Sequence, residues 1–124
     1  MKQPILPKAT EMEEIKFNLD ESKFFEKCVK NQNLPKNDAL KQIILKRIME
    51  EFNEKNYSED KVNDIIKKYF EDFALIRREL INFGYMQRDP IKSEYKVIKK
   101  ELTKSDFLKI TRLKRHAVEL GILD

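Results

Sequence analysis

A chain of 124 residues, with 39% charged and 40% hydrophobic side chains, is sized for one core and holds too many Ile, Leu, Phe and Tyr to stay disordered. One cysteine, Cys28, excludes an internal disulfide framework, and a single distant histidine, His116, excludes a zinc site built on the two. The net charge of +4 is uneven: residues 1–60 carry 11 basic and 12 acidic groups, whereas Arg77 to Arg115 carry 12 basic against 5 acidic, which suits either a polyanionic partner or a well-solvated lysine-rich surface.

The opening stretch MKQPILPKATEMEE has no apolar segment of signal-peptide type and turns acidic early. No apolar run approaches the ~20 residues of a membrane span, so a cytoplasmic chain without membrane contact is expected. Pro4 and Pro7 in an aperiodic stretch predict a loose arm over residues 1–12. Asp20 is placed to cap a short helix from Glu21 to about Asn31, with Phe24, Phe25, Cys28 and Val29 turned inward. NQNLPKND is a turn-rich break, and Asp38 is the candidate cap of the next helix. In that helix Leu40, Ile44, Ile48 and Phe52 recur every four residues and predict an end near Asn53. NEKNYSED reads as a connection whose Ser58 caps a third helix with the stripe Val62, Ile65, Ile66 and Tyr69. Glu71 or Asp72 starts the next, with Phe73, Ile76, Leu80 and Phe83 as its core side and Gly84 just past its end. YMQRDPIKSEYKVI then predicts two short strands around an Asp-Pro turn. One last helix, with Ser105 as cap and Gly121 as stop, carries Phe107, Ile110, Leu113, Ala117 and Leu120 on its apolar side.

Three helices followed by a hairpin is the pattern of a winged helix-turn-helix, mainly α, with the helix before Gly84 in the recognition position. The expected organisation is an arm and short helix over 1–36, the winged-helix unit over 37–98, and a helical extension over 99–124. That extension packs on the domain or on a two-fold dimer mate.

The segment YSEDKVNDIIKKYFEDFALIRRELINFGYMQRD resembles a bacterial family of domains of unknown function, found alone and at the C-termini of proteins described as transcriptional regulators. The likeness rests on Y-S-E-x-x-V-N from Tyr57 to Asn63, on D-F-A-x-I-R-R-x-L from Asp72 to Leu80, and on G-x-M-x-R from Gly84 to Arg88 with the later Tyr95. It covers roughly residues 37–98. It implies a winged helix and a link to transcription, and it implies no substrate or ligand.

At 100° per residue, Arg78 points away from the core side of its helix, with Asn82 and Leu75 on the same outer face and Arg77 nearer the boundary. If the partner is duplex DNA, Arg78 and Asn82, with Arg77 at the edge, approach base edges. Arginine suits guanine and asparagine suits adenine. Lys67 and Lys68, with Lys92 and Lys96 around the wing, then hold phosphates. The bland reading has Arg77 packing its stem on the core and pairing with Glu59 or Asp72. Leu75 and Ile81 sit badly on a DNA-facing side. They point instead to a cover, by the N-terminal helix, the C-terminal helix or a second subunit, and so to a protein-interaction module. His116 has no metal-ligand neighbours in its own helix and reads as a surface residue, and Cys28 as a small buried hydrophobe. No nucleophile–base pair, metal cluster or glycine-rich phosphate loop appears, so neither catalysis nor a metal or cofactor is expected, and no small-molecule ligand is identifiable from the sequence.

Overall fold

The computed structural model describes residues 13–124, and the expected arm over 1–12 lies outside them. Helix α1 (Glu21–Lys30) starts where Asp20 accepts the Lys23 N–H at 3.1 Å, and it buries Phe25 and Cys28. Helix α2 (Asp38–Met49) is capped one residue earlier than expected. The Asn37 carboxamide oxygen accepts the N–H groups of Ala39 and Leu40 at 2.9 and 3.0 Å, and Asp38 becomes the first helical residue. The helix stops at Met49, and Glu50, Glu51 and Phe52 continue it only as a tightened turn bonded to the carbonyls three residues back. Ala39, Ile43, Ile44, Leu45, Ile48 and Met49 are buried on every side of it, so α2 is surrounded rather than amphipathic.

Strand β1 (Asn56–Ser58) lies where a connection was expected. Ser58 ends it and also caps α3 (Glu59–Lys67), accepting the Lys61 N–H at 3.2 Å. Asp72 does the same for α4 (Phe73–Asn82), whose Ile76 and Leu80 are buried and whose Phe73 and Phe83 are half-buried. Gly84, at φ +85°, closes α4 in the left-handed conformation, with the Tyr85 N–H on the Leu80 carbonyl at 2.9 Å. Strands β2 (Met86–Asp89) and β3 (Glu94–Val97) follow. Their turn is held by Asp89, whose carboxylate accepts the N–H groups of Ile91 and Lys92. The sheet is antiparallel in the order β1-β3-β2, with Tyr57 and Arg88 both opposite Tyr95.

The single tail helix expected from the sequence is two. Helix α5 (Lys104–Lys109) begins with a capping box, in which Thr103 rather than Ser105 is the cap and Asp106 answers it. Helix α6 (Thr111–Glu119) follows a break at extended Ile110 and ends before Gly121 at φ +74°. On one continuous helix Phe107 and Leu113 point about 120° apart. With the break, both are buried. One core runs from Ile15 to Leu123. At its centre the buried Tyr85 hydroxyl donates to Gln42, whose amide donates to the Asp38 carbonyl. Among the described residues no helix is long and apolar enough to cross a membrane.

Candidate nucleic-acid interface

Neighbouring positions on α4 send Arg77 and Arg78 to different surroundings. Arg77 is half-buried, with its Nη1 donating to Asn63 at 2.6 Å and its Nε 3.9 Å from Glu59. Glu59 also accepts the Tyr95 hydroxyl at 2.7 Å and lies 3.5 Å from Arg88 Nε. The Tyr95 hydroxyl most of all, and then Arg77 and Arg88, hold the Glu59 carboxyl below the usual glutamate value against the opposing effect of desolvation. Glu59, Asn63, Arg77, Arg88 and Tyr95 all belong to the motif residues singled out in the sequence. In space they form one polar cluster that ties the start of α3 to α4 and to the hairpin.

Arg78 is exposed. Its Nε reaches the Ala74 carbonyl at 3.4 Å, and among the described residues no carboxylate pairs with it. Asn82, on the same face, donates to Glu79 at 3.0 Å. Glu79 in turn receives Lys41 Nζ at 2.8 Å, Lys41 bonds Asp38 at 3.0 Å, and Asp38 receives Arg112 Nε of α6 at 3.0 Å. Burial works against the Lys41 ammonium, but its bonds to Glu79 and Asp38 outweigh that and raise its pKa. The outer face of α4 is thereby linked through α2 to the C-terminal helix. Lys41 and Glu79 lie 38 positions apart, so no spacing rule in the sequence exposes this link.

The other sequence-predicted cations are spread over the surface. Lys67 lies at the end of α3 with its ammonium 4.6 Å from the centre of the Phe73 ring, and Lys68 beside it is exposed. Lys92 and Lys96 are exposed on the hairpin, where they line a shallow depression with Asn56, Gln87 and Glu94. Leu75 and Ile81 are both half-buried within the chain. Ile81 packs against the core. Leu75 sits in an open depression of about 300 Å³ with Leu34, Pro35, Lys36 and Arg112.

His116 corrects the sequence reading. It is not a surface residue: its side chain is 14% exposed, and its Nδ1 accepts the backbone N–H of Asp38 at 2.8 Å. An accepting Nδ1 places the ring proton on Nε2. The imidazole therefore satisfies one of the free donors in the first turn of α2. Its partner is 78 residues away, out of reach of any local pattern.

A family model described as "Uncharacterized protein conserved in bacteria (DUF2087)" matches residues 31–97. No curated protein and no solved structure matches the chain. The match spans more than half of the sequence and takes in both helices of the candidate interface, the hairpin and the Glu59 cluster. The chain belongs to this family of uncharacterized proteins conserved in bacteria.

Proposed function

We propose that the chain is a winged helix-turn-helix module that binds duplex DNA in the service of transcriptional regulation. In this reading α4 is the recognition helix and the β2–β3 hairpin is the wing. The order α2, β1, α3, α4, β2, β3 and the antiparallel pairing of β1 with β3 support it. The observation that carries it is Arg78. It is exposed on the outer face of α4 with no carboxylate partner among the described residues, while adjacent Arg77 is engaged by Glu59 and Asn63. A guanidinium held out in this way suits a phosphate or a guanine edge. Asn82 stands one turn further along the same face.

The test is fluorescence anisotropy with a labelled random-sequence duplex across a salt series. Wild type is expected to bind with an affinity that falls as salt rises, through counterion release. Arg78→Ala is expected to bind more weakly and, if the contact is to phosphate, to show a log–log salt slope shallower by about 0.9. The competing reading is a protein-docking module, favoured by the apolar floor of Leu34, Pro35 and Leu75 beside the same face. It predicts no duplex binding even at low salt, and that result would sink the DNA reading.

A further inference from the structure

The depression beside Leu75 has a rim that the three central helices do not supply. Lys36 comes from the loop before α2, and Arg112 comes from α6. Carboxylates are present, but each is already engaged. Glu79 takes Lys41 and Asn82, and Asp38 takes Lys41 and Arg112. Lys36 is exposed, and among the described residues no carboxylate pairs with it. Arg112 directs Nε to Asp38, yet its side chain remains 65% exposed, so the far end of the guanidinium is open to a partner in solvent. Asp38, itself only 4% exposed, anchors that guanidinium from below.

The position of this rim relative to α4 gives it meaning. A helix about 10–12 Å across fills a B-DNA major groove about 12 Å wide, and the phosphates of the two strands then run along both of its flanks. Leu75 and Glu79 mark one flank of the outer face of α4, and Arg78 lies about 100° round the helix from Glu79. Lys36 and Arg112 stand beside the Leu75–Glu79 flank, where one strand has to pass.

We propose that Lys36 and Arg112 form a phosphate clamp on this flank, so that the C-terminal helix is part of the duplex contact surface. This rests on the DNA-binding reading above. The surface is matched to B-form DNA, because the major groove of A-form RNA is too narrow and deep to admit a helix in this way.

The salt series separates the two ideas when run on wild type, Lys36→Ala, Arg112→Ala and the double variant. Lys114→Ala removes an exposed cation from the other side of α6 and serves as control. Thermal unfolding of each variant accompanies it, and Lys36→Ala, which breaks no ion pair among the described residues, keeps the test valid if Arg112→Ala loosens α6. Each clamp variant is expected to lower the log–log slope by about 0.9, the double by about twice that, and the control by nothing. Wild-type slopes in Lys36→Ala and Arg112→Ala, with binding retained, overturn the clamp and leave the DNA reading standing. An equal drop in Lys114→Ala also overturns it, since charge anywhere would then serve. Equal binding of a duplex RNA of the same length overturns the groove-flank geometry. Absence of wild-type binding removes both proposals together.

Discussion

Glu59 shows how much one carboxylate can hold together. It receives Tyr95 from β3, Arg88 from β2 and Arg77 from α4. Its pKa lies below the ordinary 4.5, chiefly through the Tyr95 hydroxyl. A carboxyl whose folded value is lowered contributes stability that is present above its unfolded value and lost as pH falls through the folded one. Wild type is therefore expected to lose stability as pH drops below about 4.5, and Glu59→Gln to lose less over the same interval. Urea unfolding at pH 7, 5 and 3.5 checks this, and parallel profiles for the two proteins reject it. Glu51 and Asp106, also lowered, remain in both proteins and cancel from the comparison. The different surroundings of Arg77 and Arg78 were legible from a helix wheel, because adjacent residues differ by about 100°. The place of His116 was not, because its partner is the backbone of a helix 78 residues earlier.

Helices and their stops were readable mostly where the signal was local, although Asn37 and Thr103 cap where the neighbouring Asp38 and Ser105 were expected. Asp20, Ser58 and Asp72 each cap the helix expected of them, and Gly84 and Gly121 take positive φ at helix ends. At Gly84 an added Cβ meets nothing within 4 Å, so the cost of Gly84→Ala is backbone strain alone. A loss of about 1 kcal/mol is expected, read from the shift in urea midpoint. A loss several times larger indicates a steric clash and rejects the account. Strand β1 escaped the sequence because three residues make no period. Its existence depends on Tyr95 and Lys96, which pair with it from far along the chain. The break at Ile110 escaped for a related reason. Thr111 to Glu119 reads as a continuation of Lys104 to Lys109 until Phe107 and Leu113 both have to enter the core.

Over the whole molecule, α2 is the helix on which α1, α4 and α6 all pack. Helix α1 lies against one side and α6 against another, and the core that includes Ile15 at one end and Leu123 at the other is continuous. Deleting residues 99–124 removes Leu102, Phe107, Leu113, Ala117 and Leu123 from that core. Losses of ~2–5 kcal/mol for each of the four large side chains together reach about 8–20 kcal/mol, as much as the ~5–15 kcal/mol that holds a domain together. The chain cut after residue 98 is expected to unfold without a cooperative urea transition, followed by circular dichroism. A sharp transition in the cut chain instead means that it folds without the C-terminal helices. By itself the sequence determined the first four helices, the caps Asp20, Ser58 and Asp72, the glycine stops, the hairpin turn and the outward face of α4. Each of these follows from residues within a few positions of one another, through backbone hydrogen bonding and a 3.6-residue period. Only the tertiary structure decided the third strand, the bend at Ile110, the Glu59 cluster and the chain of ion pairs and hydrogen bonds from Arg112 to Asn82. Those depend on which distant side chains are brought within about 3–4 Å, and burial of a shared core sets that.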